Sequence, residues 1–362
     1  MAISSQRLPR ADMLDRPRPP AARVLGLLAA LLCLAFGVSV QFGATGVGLD
    51  ALPRLLAAFR SGAELTPALQ IERLVFFDIR LPRAVLGLLV GGALGAGGAV
   101  MQGLFRNPLA DPGMIGVSAG AALAAVATIV LGDTVLAFAL APLGRWALPC
   151  AGLVGGFGTT VLLYALATRA GLTSVTTVLL GGVALGAFAG ALTGLLVFVA
   201  NDRQLRDLTF WSLGSLSSAS WPKIVILLPF MAVGAACLPA LTSGLNAFLL
   251  GEAEAFHIGG TVERTKRLAM LAVGSTVGAA VSITGVIGFI GLLVPHLVRM
   301  VCGPDHRIVL PGSALLGAAL LLLSDTAART LAAPAELPVG IVTAAIGAPC
   351  FLWLLLRQHN EG

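Results

Sequence analysis

Long apolar runs, separated by short polar connectors, dominate the chain. Runs near the length of a bilayer-crossing helix, about 20 residues, occupy 24–42, 84–105, 113–131, 146–168, 174–200, 224–241, 268–287, 308–330 and 338–356. A shorter apolar stretch, Gly288 to Val301, contains Pro295 and makes a tenth candidate. The pattern predicts an all-α, polytopic membrane protein with about ten transmembrane helices. An even number of crossings puts both termini on one side. The first 23 residues carry five arginines and two aspartates, which the positive-inside rule assigns to the cytoplasm. Residues 1–23 are then a cytoplasmic tail, 24–357 the transmembrane unit and 358–362 a second tail, with 242–267 a cytoplasmic segment inside that unit. The first apolar run exceeds a secretory h-region and no A-x-A site follows it, so it reads as a retained span.

Composition supports this reading. Of 362 residues, 57% are apolar and 11% charged, whereas soluble domains carry about 25% charged residues. The surface must therefore be covered largely by lipid. The net charge of +6 comes from arginines scattered between apolar runs, with Lys223 and Lys266 the only lysines. That scatter fits membrane topology and not nucleic-acid binding. The five cysteines are isolated and form no CxxC pair, so they read as small buried hydrophobes.

Two features concern the packing of the spans. Glycine recurs every fourth residue at Gly87, Gly91 and Gly95, and again at Gly182, Gly186, Gly190 and Gly194. Each series lies on one helix face and admits a close neighbour. The segments Gly103–Gly116 and Ser282–Pro295 interrupt the apolar pattern. They are either tight turns or broken backbone beside a cavity, where alone such breaks are tolerated at membrane depth.

Catalytic chemistry finds no support. Neither lysine follows a glycine, so there is no phosphate-binding G-x-x-x-x-G-K-[ST] loop. H-E-x-x-H and G-x-S-x-G are absent, and His257, His296, His306 and His359 are dispersed. No catalytic residue and no metal site is expected, and any use of ATP belongs to a partner.

Several long motifs occur in order. They are Arg80-Leu-Pro-Arg83, Gly98-Ala-Val-Met-Gln-Gly103, Phe105-Arg-Asn-Pro-Leu-Ala-Asp-Pro-Gly113, Gly285 through Arg299, Leu323-Ser-Asp-Thr-Ala-Ala-Arg329, Glu336-Leu-Pro-Val-Gly340 and Gly347-Ala-Pro349. Over residues 45–357 they resemble the permeases of iron-siderophore, haem and vitamin B12 importers, the FecCD-type transmembrane subunits. The run Thr209-Phe-Trp-Ser-Leu-Gly-Ser-Leu216 is most similar to haem permeases. The resemblance implies a type II ABC importer permease, homodimeric in the bacterial inner membrane, with its path between subunits. It implies two cytoplasmic ATPase subunits that use ATP and Mg, and a periplasmic haem-binding protein. Haem is then the cargo, and nothing is bound permanently. A ferric siderophore or cobalamin is the alternative cargo, and an ion-coupled secondary carrier the alternative class.

The resemblance also assigns roles. Arg80, Arg83 and Arg329 fall on the outer face, where family arginines meet acidic residues of the binding protein. Headgroup anchoring, or an i,i+4 pair of Arg329 with Asp325, is the plainer reading. Asn107 and Leu109, with Ser174, match the cytoplasmic gate, although an Asn-Pro turn accounts for the first two equally. Gly251, Glu252, Phe256, His257, Ile258 and Gly259 resemble the segment that couples to the ATPase. Arg203 and Arg206, in the expected outer loop after the fifth span, suit two propionates as charge-assisted pairs; ordinary solvation is the alternative. His296 and Arg299 belong to the family pattern, with His296 expected to be structural.

Overall fold

The computed structural model describes residues 20–43, 46–61, 66–333 and 335–360. Most of the expected N-terminal tail and the last two residues of the C-terminal tail lie outside them. Among the described residues the regular structure is helical apart from one short hairpin, Thr168–Thr173. In chain order the helices are α1 (Ala21–Gln41), α2 (Ala51–Ser61), α3 (Pro67–Arg73), α4 (Leu81–Phe105), α5 (Val117–Leu131), α6 (Ala137–Leu140), α7 (Ala147–Ala167) and α8 (Val175–Val199). They continue as α9 (Asp202–Ser212), α10 (Trp221–Phe248), α11 (Glu252–His257), α12 (Val262–Thr284), α13 (Ile290–Cys302), α14 (His306–Leu331) and α15 (Val339–Asn360).

Seven continuous helical stretches are long and apolar enough to cross a bilayer, and α5, α13 and the described part of α15 are shorter apolar helices. Together they make the ten expected elements. The bilayer offers no hydrogen-bond partners, so each span must satisfy its own backbone, which is why apolar runs of this length fold as helices.

Three spans form the centre. Most of α4 and α12 is buried, as is more than half of α14, whereas α1 and α8 present most of their surface outward. Small residues set this order. A Cβ on Gly91 or Gly95 would run into the backbone of α14 at Gly317 or Ser313, and one on Gly98 would fall on the Gly291 carbonyl of α13. Gly91 and Gly95 of the first series thus let α4 lie against α14, and Gly98, outside that series, lets it lie against α13. The second behaves differently. A Cβ on Gly182 would meet the Met114 carbonyl, but at Gly186, Gly190 and Gly194 nothing lies within 4 Å among the described residues.

The boundaries depart from the hydropathy pattern in four places. The second span begins at Pro67 and reaches α4 through a π-helical turn, Leu74–Arg80, so Arg80 and Arg83 lie inside a helix and not ahead of one. The sixth runs on to Phe248 and the seventh starts at Val262, which shortens the expected cytoplasmic segment 242–267 to a connector around α11. The loop expected after the fifth span is instead a helix, α9. Its start is closed by a capping box between Asn201 and Gln204, and Leu208 is buried beside Val126 and Val130.

Both interruptions are real breaks in the helices. After Phe105 the chain turns at Arg106 (φ 50) and forms one 3-10 turn, Pro112–Ile115, before α5. Between α12 and α13 it turns at Gly285 (φ 73) and Phe289 (φ 68). Protein packs on part of that non-helical backbone: Ser215 N–H donates to the Thr284 carbonyl at 2.8 Å, and a Cβ on Gly214 would meet the Val286 carbonyl.

Candidate functional site

The polar side chains collect at the two ends of the bundle. At one end, helix termini bring Ser39, Arg80, Arg83, Asp325, Arg329 and Glu336 together. The Arg83 guanidinium faces Asp325, with Nη2 to Oδ1 at 2.9 Å and Nε to both oxygens at 3.1 Å, and donates from Nη1 to both Glu336 oxygens at 3.0 Å. Arg329 Nε stands 3.2 Å from Asp325 Oδ2, and its Nη2 donates to the Ser39 carbonyl at 2.7 Å. Arg80 donates to the Val40 and Gln41 carbonyls at 2.9 and 2.6 Å.

These three arginines are only 3–5% exposed. The sequence places them as outward contacts, whereas in this conformation each points inward onto acceptors of its own chain. For Arg83 and Arg329 the cause is Asp325, 1% exposed on α14, because a buried carboxylate requires paired cations; Arg80 is held by the Val40 and Gln41 carbonyls. Its i,i+4 pair with Arg329 is present, and Arg83 adds a second cation. Glu336, with a side chain 40% exposed, is the part of this lattice that opens to the surface.

Arg203 and Arg206 both lie exposed on α9, three residues apart and so on neighbouring positions of one helix face. Neither forms a salt bridge among the described residues. The start of α8 and the end of α4 lie at the opposite end of the bundle. There Asn107 accepts the Leu109 N–H at 2.9 Å, closing an Asn-Pro turn that leaves Leu109 exposed. Ser174 caps α8 by accepting the Thr177 N–H at 3.2 Å. Asn107 borders a small hollow with Gln102, Arg106, Leu249, Arg299 and His306. Arg299 donates to Gln102 and to the Ala99 carbonyl, and Asn246 links His306 to Asp305.

At this same end, Gly251 (φ +128) turns the chain into α11, on which Phe256 and the adjacent Ile258 are 68% and 63% exposed. Gly259 (φ +81) ends the connector. His257 stacks edge-on against Phe256 at 6.1 Å, and both border a groove with Glu252, Leu172 and Arg267. Two large apolar side chains are thus held out beside a polar rim.

Among the described residues no group of three His, Cys, Asp or Glu side chains could hold a metal ion. His296 Nε2 is buried without a hydrogen-bond partner among them. Sequence reasoning missed Glu336 as the second acid on Arg83, and Lys266, whose environment is described below. The Arg83–Glu336 pair is long-range and has no local signal; Lys266 offered one, Glu263 at i,i+3 on the same helix, while its contact with Thr173 is long-range.

Comparison with known proteins bears on the chain as a whole. Residues 28–357 match the FecCD transport family. The hemin transport system permease protein HmuU of Yersinia pestis is 44% identical over 294 residues, which cover 79% of this chain and 84% of that protein. The cobalamin import system permease protein BtuC of Halobacterium salinarum is 49% identical over 287 residues, covering 79% of this chain and 74% of that one. A solved chain described as an inward-facing conformation of a metal-chelate type ABC transporter superposes with a TM-score of 0.78 at 32% identity. The match covers 92% of this chain and 99% of that chain. With a family match spanning most of its length, this chain belongs to the FecCD transport family of ABC importer permeases.

Proposed function

We propose that this permease carries haem inward across a bacterial inner membrane. It works as a homodimer with two cytoplasmic ATPase subunits and a periplasmic haem-binding protein. The chain supplies the path, and ATP with Mg is consumed by the partner. The end with α11 faces the cytoplasm. The end with Arg83 and Glu336 faces the periplasm, where an acidic side chain of the binding protein reaches Arg83 by displacing the half-exposed Glu336. A second copy covers the open glycine face of α8, and the path runs between the copies, with Asn107, Leu109 and Ser174 at its cytoplasmic mouth.

The observation that carries the cargo is the pair Arg203 and Arg206, exposed on the outer helix α9 and without salt bridges among the described residues. Two guanidiniums on one helix face suit a ligand with two carboxylates, which haem is and cobalamin is not. Cobalamin is the second reading, favoured by the 49% identity to a cobalamin permease. The deciding experiment reconstitutes the permease with its ATPase and binding protein in vesicles and measures uptake of haem, a ferric siderophore and cobalamin. Uptake of haem above the other two supports the reading. Preference for cobalamin or the siderophore overturns the cargo, and uptake without any ATPase overturns the class.

A further inference from the structure

Lys266 lies in the second turn of α12 with its side chain 3% exposed. An ammonium group has three N–H donors, and three oxygens surround this one. They are the Thr173 carbonyl at 2.6 Å, Glu252 Oε1 at 2.5 Å and Glu263 Oε1 at 3.1 Å. The other Glu263 oxygen accepts the Thr173 N–H at 3.0 Å. Both backbone polar groups of Thr173 are therefore held by the Lys266–Glu263 pair of α12. Thr173 ends the hairpin Thr168–Thr173 and directly precedes Ser174, the N-cap of α8. Glu252 is the first residue of α11, the helix that carries the exposed Phe256.

We propose that Lys266 is a positioning residue that transmits displacement of α11 to the start of α8; the inference rests on α11 being the ATPase contact. If Glu252 shifts beyond hydrogen-bond reach, either the buried ammonium loses an acceptor or Lys266 and Thr173 follow. Leaving a buried charge short of a partner is the costly option, so the group moves together. Little of the α8 span is buried within its own subunit, and three of its glycines lie on the face that the second copy covers. Movement at the ATPase is thereby delivered to the helix that borders the second copy.

The test compares wild type, Lys266→Met and Lys266→Arg in the full assembly reconstituted in vesicles. The cargo is whichever of haem, ferric siderophore or cobalamin wild type moves. Cargo delivered per ATP hydrolysed is expected to fall several-fold in Lys266→Met and to recover partly in Lys266→Arg, which keeps the charge. Hydrogen exchange at residues 173–178 is expected to respond to nucleotide in wild type but not in Lys266→Met. Should Lys266→Met fail to assemble, Glu263→Gln removes the charged acceptor while keeping its shape, and a lower ratio is again expected. An unchanged ratio in an assembled variant, or a persisting exchange response, overturns the linkage alone. A wild-type chain that retains no ATPase overturns both the linkage and the reading beneath it.

Discussion

Arg83 and Asp325, 242 positions apart in the chain, meet face to face with the guanidinium against both carboxylate oxygens. The two side chains are 6% and 1% exposed. The pair locks α4 to α14 at the same end where Arg329 and Glu336 complete the charge balance.

Removing the shared carboxylate leaves two buried guanidiniums short of an anion. Asp325→Ala is expected to destabilise by about 3–5 kcal/mol, the usual consequence of breaking a buried pair. Glu336→Gln, at a side chain 40% exposed, is expected to cost less than about 1 kcal/mol. Thermal unfolding of the purified protein in detergent measures both, and effects of equal size would contradict the ordering.

The two glycine series are expected to respond differently to the same substitution. A Cβ on Gly95 falls on the Ser313 carbonyl, so Gly95→Ala forces α4 and α14 apart at about 1–3 kcal/mol. Gly190 has nothing within 4 Å among the described residues, so Gly190→Ala leaves the protomer's melting temperature unchanged or slightly raised. Melting curves of the two variants, recorded in one detergent, check the contrast.

Phe256 is 68% exposed on α11. Phe256→Asp removes an apolar anchor without disturbing the core, so the permease is expected to purify normally while ATPase subunits no longer co-purify. Undiminished co-purification would count against docking at this helix.

Asp305 caps α14 just outside the span. The Arg307 backbone N–H holds its carboxyl below the usual carboxylate range, outweighing the opposing effect of burial and helped by the Asn246 amide and nearby positive charge. A lowered pKa means stability present at neutral pH and lost as pH falls below the unfolded value of about 3.9 and through the folded one. Wild type is expected to melt above Asp305→Asn at pH 7, with the difference closing in acid. A difference that widens on acidification would reverse the sign.

Replacing Arg203 and Arg206 together by Ala is expected to lower haem uptake while leaving assembly intact, because both side chains are exposed on a helix held by Leu208 and its cap. Uptake equal to wild type at limiting haem would remove α9 from the entry route.

Much of the architecture was legible from the residue pattern. Apolar runs near 20 residues dictate helices because lipid cannot hydrogen-bond to a backbone. The glycine spacing at Gly87, Gly91 and Gly95 correctly marked a close helix contact, whereas three members of the second series face no neighbour among the described residues. The family motifs were readable as strings, so membership followed from them.

The i,i+4 pair of Arg329 with Asp325 was legible in the sequence, but tertiary structure decided where the other arginines go. Arg80 and Arg83 looked like an exposed doublet ahead of a span. Arg83 is held by Asp325 and Glu336, more than 240 positions away, and Arg80 by the Val40 and Gln41 carbonyls, which no local pattern encodes. Residues 202–212 read as a loop because their helix is short and polar, and it becomes visible only through Leu208 docking against α5. Lys266 looked like an ordinary cytoplasmic lysine until folding set Thr173, Glu252 and Glu263 around it. Hydrophobic periodicity is a property of neighbours in the chain and therefore determines the elements. The pairing of buried charges is a property of neighbours in space, and only the packed helices establish it.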